Sequence, residues 1–248
     1  MLAIYKKELR SYFINPVGYV FTGIFLLISA LLCCYSTLLS GSYDTGTYFL
    51  MLIFVMAVLL PLLTMRLFAE ERKLKTEQLL LTAPVSLSSM VIGKFLAAMT
   101  LFGGNVLLSC VNFIPLFVVA DQERAGLGYE TLHIGPVFAE VLGSVIGIIL
   151  LGAAFLAIGV LISSLTENQL SAAVITVAVL IFTVIMSVVN QFIDVYAVRF
   201  VIDWICVYSR FINFTYGIFD FVALLYYGSI VAVFLFLTVR VYDRRRWN

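Results

Sequence analysis

Charge is scarce in this chain of 248 residues. Lys and Arg number 15, Asp and Glu 14, and together they make up 12% of it. Soluble domains carry about 25% charged residues. With 63% hydrophobic residues and a mean hydropathy of +1.11, too little polar surface remains to cover a water-soluble fold. That excludes an ordinary cytosolic enzyme, a secreted domain and a disordered chain, and places the protein in a bilayer. Histidine is nearly absent: His133 stands alone, with no second histidine for a metal site. The four cysteines, Cys33, Cys34, Cys110 and Cys206, show no C-x-x-C spacing. The first three fall in apolar runs and read as packing residues rather than a disulfide frame. No G-x-x-x-x-G-K-[ST], H-E-x-x-H or G-x-S-x-G motif occurs, so the chain shows no nucleotide loop, zinc-protease helix or nucleophile elbow of its own. Metal and bound cofactor are therefore not expected, and neither is a nucleic-acid partner.

Long apolar runs are abundant. Crossing the hydrocarbon takes about 20 apolar residues in a helix, and unalternated runs of that length favour helices over a barrel. Six spans are expected, at residues 17–39, 48–65, 90–119, 137–165, 170–189 and 221–241. The third and fourth exceed the bilayer's need, and a kink near Pro115 is one way to accommodate the third. The first run is too long for a signal-peptide core and lacks an Ala-x-Ala site, so it is expected to be a retained span. An even span count puts both termini on one side. On that side fall Lys6, Lys7, Arg10, Arg66, Arg72, Lys73, Lys75, Lys94, Arg240, Arg244, Arg245 and Arg246; opposite them fall only Arg124, Arg199 and Arg210. Positive residues favour the cytoplasm, so both termini are expected there. Ionisable residues are nearly missing from the span centres, which weighs against an ion relay. Mild polar groups such as Ser29, Asn105, Asn112 and Thr176 could line a path, but each alone reads rather as bonding to nearby backbone carbonyls.

Residues 1–15 form a short amphipathic stretch. Leu2, Tyr5, Leu9, Tyr12 and Phe13 share one helical face, with Lys6, Lys7 and Arg10 largely off it. Such a helix suits the membrane interface, cations toward lipid headgroups; the plainer reading is a positive flank that fixes orientation. Between spans two and three the chain reads Arg66-Leu67-Phe68-Ala69-Glu70-Glu71-Arg72-Lys73-Leu74-Lys75-Thr76-Glu77-Gln78-Leu79-Leu80-Leu81-Thr82-Ala83-Pro84-Val85-Ser86. It opens as a charged helical extension of span two. Thr76 then offers an N-cap, Glu77 favours a first turn, and Pro84 ends a short new helix. Ser86 or Ser88 can cap span three. The leucines 79–81 make an apolar tip, the mark of a partner site; the alternative is a loop packed on the protein's own face.

Gly135, Ala139, Gly143 and Gly147 recur every four residues, a small-residue stripe for close helix approach in the same chain or another. In 190–220, Tyr196, Phe200, Trp204 and Tyr208 also recur every four residues, a belt-type aromatic face on an outer re-entrant or interfacial helical segment. A gate and plain capping of the bundle are both open readings of it.

Three stretches carry a family resemblance: Tyr5-Lys6-Lys7-Glu8-Leu9-Arg10-Ser11-Tyr12-Phe13, the run Phe68-Ala69-Glu70-Glu71-Arg72 with Thr76-Glu77-Gln78-Leu79-Leu80-Leu81-Thr82-Ala83-Pro84-Val85-Ser86, and Gly93-Lys94-Phe95. Over its whole length the chain resembles the permease subunit of ABC-2 type transporters, closest to the six-span branch of gliding-motility and nitrous-oxide-reductase accessory systems. Where the family often has a glycine, Lys75 stands here. The resemblance implies an all-α polytopic membrane protein forming one domain over 1–248, with an N-terminal elbow helix that includes Lys6, Lys7 and Arg10. It implies a coupling helix formed by Thr76, Glu77, Gln78, Leu79, Leu80, Leu81, Thr82, Ala83 and Pro84. That helix would dock in a separate ATPase subunit, which would hold ATP and Mg. Glu70 and Glu71 would pair with Arg72, Lys73 or the ATPase and orient the docking helix.

The resemblance further implies two permeases, identical or paralogous, with two ATPases, in a bacterial cytoplasmic membrane, with an outer accessory protein as a further possible partner. Export of a substrate driven by ATP is the function expected. The rivals are an ion-coupled carrier or channel and a scaffold that transmits ATPase motion to an outer partner.

Overall fold

The computed structural model describes residues 1–39, 43–75, 86–127, 135–190, 193 and 207–247. Among them all regular structure is helical. Helix α1 (Leu2–Ile14) precedes α2 (Val17–Cys33), which continues as a π-helical turn, Cys34–Leu38. Then come α3 (Thr45–Thr64) and the short α4 (Ala69–Lys73). Helix α5 (Leu87–Ser109) passes through a 3₁₀ turn, Cys110–Phe113, into α6 (Ile114–Leu127). Helices α7 (Phe138–Leu165), α8 (Gln169–Val189), α9 (Ile212–Thr215) and α10 (Phe221–Trp247) complete the described elements. Six helical stretches are long and apolar enough to cross a membrane: Val17–Thr37, Thr45–Lys73, Leu87–Gln122, Phe138–Leu165, Gln169–Val189 and Phe221–Arg246. They coincide with the six expected spans.

The breaks have local causes. Pro115 cannot donate to the carbonyl four residues back, and its ring crowds that carbonyl. The chain tightens into the 3₁₀ turn just ahead of it, an interruption of the regular helix near the place where a kink was expected. Asp44 caps α3 by accepting from Gly46 N at 2.9 Å and from Thr47 Oγ1 at 2.7 Å. At the other end of that span the expected charged helical extension is present as α4, reached through a turn over 65–68. Ser86 occupies the N-cap of α5 but makes no side-chain cap bond.

Helix α7 is the axis of the bundle. Two thirds of its most apolar window is buried (67%), against 17% for α10 and 28% for α2 and α8, so those three turn most of their surface outward. Helix α7 packs against α3, α5, α8 and α10. Small residues permit the approach. A Cβ at Gly159 would lie 2.4 Å from Thr64 Oγ1 and 2.9 Å from Thr64 Cβ. Gly159→Val is therefore expected to destabilise the fold by about 3 kcal/mol through overpacking. Gly103→Ala, where a Cβ meets nothing within 4 Å, is expected to be neutral or slightly stabilising, because alanine favours helix. Thermal unfolding of the two variants in one detergent checks both.

The four-residue stripe divides. Gly135 lies before the helix at φ +139°, so it takes no part in the α7 surface. Ala139, Gly143 and Gly147 are helical, and their partner belongs to the same chain. A Cβ at Gly143 would meet the Phe214 carbonyl oxygen at 2.8 Å, and one at Gly147 the Phe211 ring at 2.9 Å. The carbonyl of Ala139 faces Gly217. The stripe thus seats α9 against the far end of α7. Hydroxyls and amides inside the spans behave as expected: Ser29, Asn105 and Thr176 bond to carbonyls of their own helices. Asn112 instead donates to Ser29 Oγ at 3.1 Å, joining α2 to the 3₁₀ turn.

Candidate functional site

The ion pairs among the described residues gather at one end of the bundle, toward which both ends of the described chain lead. The 15–16 turn folds α1 back, and Gly18 makes room, since a Cβ there would lie 2.5 Å from the Tyr12 carbonyl oxygen. Tyr12 is buried and donates its hydroxyl to Leu63 O at 3.1 Å, fixing α1 to the end of α3. Burial pushes its phenol well above the usual range, with Glu8 adding to the effect, so Tyr12 remains a neutral donor.

Lys94 lies at the centre. Only 1% of its side chain is exposed. Its Nζ donates to Leu67 O at 2.6 Å and pairs with Glu71 at 2.8 Å and Glu8 at 3.2 Å. The Phe68 ring centroid is 5.0 Å away. A buried ammonium is tolerated only when paired and fully hydrogen-bonded, and three oxygens meet that demand. Lys7 approaches the same two carboxylates at 3.7 and 3.8 Å from the exposed side.

Helix α4 is held from several directions. Arg66 grips Glu70 with two bonds, at 2.7 and 3.0 Å. Glu71 reaches Lys94 in α5. Arg72 pairs with Glu167 at 2.7 Å and donates to Leu165 O at 3.3 Å. Ser163 accepts from the backbone of Phe68 and Ala69 and donates to Met65 O, each at 3.3 Å. Arg245 of α10 donates to Ser164 O at 2.7 Å. Two arginines thus serve the free carbonyls at the C-terminus of α7, where positive charge is favourable.

Glu70 and Glu71 find partners other than those expected from sequence. Glu70 pairs backward with Arg66 at i−4 rather than forward with Lys73 at i+3, and Glu71 turns into the bundle to Lys94. Both acids are engaged within the chain. Lys73, Leu74 and Lys75 are exposed instead.

Lys75 has φ +56°, the left-handed conformation just past a helix end that glycine adopts without penalty. A glycine would take this conformation without strain. Lys75→Gly is expected to raise stability by about 0.5–1 kcal/mol, read as a higher unfolding midpoint; a lower midpoint would show that the lysine side chain holds a contact of its own.

Of the other sequence candidates, Lys6, Lys7 and Arg10 are exposed on α1. Thr76, Glu77, Gln78, Leu79, Leu80, Leu81, Thr82, Ala83 and Pro84 lie outside the described residues, as do Tyr196, Phe200 and Trp204. Tyr208 is half-buried in the turn before α9. At this far end Asp220 caps α10: Val222 N at 2.8 Å, then Asn213 at 3.1 Å, hold its carboxyl below the usual range. Such a cap contributes stability at neutral pH that is lost as pH falls through the carboxylate range. Sequence reasoning missed Lys94 as a hub. The available signal was a lone lysine in an apolar run, with acids in the polar stretches 1–15 and 66–86.

A family model for ABC-2 family transporter protein matches residues 2–247. The chain belongs to the ABC-2 family. No curated protein matches it. It is thus a multi-pass membrane permease, the membrane component of an ABC transporter. Permeases of this family are generally not catalytic themselves and normally pair with an ABC ATPase subunit. In the permease, the charged end therefore includes α4 and the turn that closes it, the last described residues before position 76.

Proposed function

We propose that this permease is driven by a separate ATPase that docks on residues 76–84 and moves its substrate outward across a bacterial cytoplasmic membrane. Both termini face the cytoplasm, and two permease copies, or this one and a paralogue, work with two ATPases. ATP and Mg are held by the ATPase. The six-span branch of gliding-motility and nitrous-oxide accessory systems is the kind of system to which we assign it, and an outer accessory protein fits that setting.

The observation that carries the reading is the clamping of α4. This short helix precedes the 76–84 segment in the chain, and through Glu71, Arg72 and the Ser163 bonds it is tied to α1, α5, α7 and the turn before α8, with Arg66 of the turn after α3 gripping Glu70. A push on the segment would reach the bundle through charge-assisted bonds. Elbow cations on α1 and the basic run 244–246 at the same end support the cytoplasmic assignment.

The test is co-purification of the permease with an ATPase encoded beside it, followed by ATP-dependent flux in vesicles. Flux driven by an ion gradient in the permease alone would establish a carrier instead. ATP hydrolysis by the complex with no flux of any candidate would favour the scaffold. A reporter fused after Asn248 that reads outside the cytoplasm would overturn the topology.

A further inference from the structure

The outer ridge of α1 presents a chemistry that ATPase docking does not use. Residues four apart on a helix lie along one ridge, and here these are Leu2, Lys6, Arg10 and Ile14, all exposed. Glu8 is the sole acidic residue of α1 and is turned inward to Lys94. Lys7 leans toward the same inner carboxylates. Among the described residues, Lys6 and Arg10 therefore have no acidic partner. Beside this ridge, between α1 and α5, runs a groove of about 380 Å³ lined by Met1, Leu2, Tyr5, Leu96 and Thr100. The Tyr5 hydroxyl and Thr100 Oγ1, 3.1 Å apart, tie the two helices together across it. Leu2 belongs to both ridge and groove.

We propose that the ridge and the groove together bind an anionic phospholipid. Its phosphate lies between Lys6 and Arg10, and an acyl chain follows Leu2 and Leu96. Two uncompensated cations one turn apart complement a headgroup of net negative charge; the ammonium of a zwitterionic lipid would cancel that attraction. The amphipathic helix supplies the depth at which headgroup and chain part company. The site does not depend on the ATPase: its groups lie on α1 and α5, and a permease that binds no ATPase would still hold the lipid.

The test uses the full chain in nanodiscs of phosphatidylcholine with a minority of phosphatidylglycerol. Lipid retained on extraction is counted by native mass spectrometry. The wild type is expected to retain phosphatidylglycerol over phosphatidylcholine. Lys6→Gln with Arg10→Gln is expected to weaken that retention about thirtyfold, at about 1 kcal/mol per cation. Thr100→Phe fills the groove, leaves both cations in place, and is also expected to weaken retention. Unchanged unfolding midpoints show that both variants fold. Equal retention of the two lipids by the wild type overturns the proposal, as does undiminished retention by the double variant. Displacement by soluble glycerol phosphate as readily as by the lipid would show a free-phosphate site and overturn it too. Absence of phosphatidylglycerol from the wild type, as when a second subunit covers α1, is equally fatal.

Discussion

Leu80→Asp is expected to abolish co-purification of the ATPase while leaving membrane insertion of the permease unchanged. The expectation has two parts. The first comes from the sequence: Leu79, Leu80 and Leu81 stand together in a polar segment between spans two and three, and apolar clusters outside a membrane usually mark partner sites. The second comes from the structure of the neighbouring residues. Glu70, Glu71 and Arg72 are already bound within the chain, so the charges just ahead of the segment are not the main docking contacts. That leaves the leucine tip, with exposed Lys73, Leu74 and Lys75 at its edge.

Truncation of a central apolar contact in an interface costs about 2 kcal/mol or more. Burial of an unpaired carboxylate adds several more. Together they amount to a loss of roughly a thousandfold or more in affinity. Insertion is expected to be unaffected because position 80 falls in the charged stretch between the second and third apolar runs of the sequence. The measurement is the ratio of ATPase to permease after affinity purification, with membrane yield as the control. A normal ratio would remove residues 76–84 from the docking surface.

Much of this architecture was legible before any coordinates. A membrane span is read from a simple rule: a length set by the bilayer and an apolar composition. All six spans follow it, and Pro115 announced the break in span three. The packing partners followed no such rule. Gly143 and Gly147 signal close approach, but nothing in their spacing says that α9, some 70 residues later, fills the space. Gly135 kept the four-residue rhythm yet fell outside the helix, because periodicity does not register the end of an element. The charged end was legible as a face and illegible as a network. Lys94, Glu8 and Glu71 come from three separate stretches, and only the fold brings them together. Conversely, the local rule that nearby opposite charges pair misassigned Glu70 and Glu71. Tertiary partners, or a neighbour four residues back, outcompeted residues one to three positions away.

Lys94→Met is expected to destabilise the permease by about 3 kcal/mol, the usual consequence of removing one member of a buried ion pair. The substitution keeps the length of the side chain and its packing against Phe68 but removes the donor to Leu67 O. It leaves Glu8 and Glu71, 13% and 17% exposed, without the buried cation they share. Such a loss lowers the folding equilibrium by about two orders of magnitude, seen as a lower unfolding midpoint in detergent. The desolvated pair itself need not stabilise the fold relative to neutral groups of similar shape. Adding Glu8→Gln and Glu71→Gln to Lys94→Met is therefore expected to restore most of the midpoint.

The triple variant then separates stability from transmission. Its α1 and α4 no longer share a cation, so motion of α4 reaches α1 and α5 only through weaker neutral contacts. If the knot carries force from the docked ATPase, the triple variant binds the ATPase normally, folds nearly as well as wild type, and moves less substrate per ATP hydrolysed. Full transport by a refolded triple variant would confine Lys94 to a stabilising role, and an unchanged midpoint in Lys94→Met alone would deny it even that.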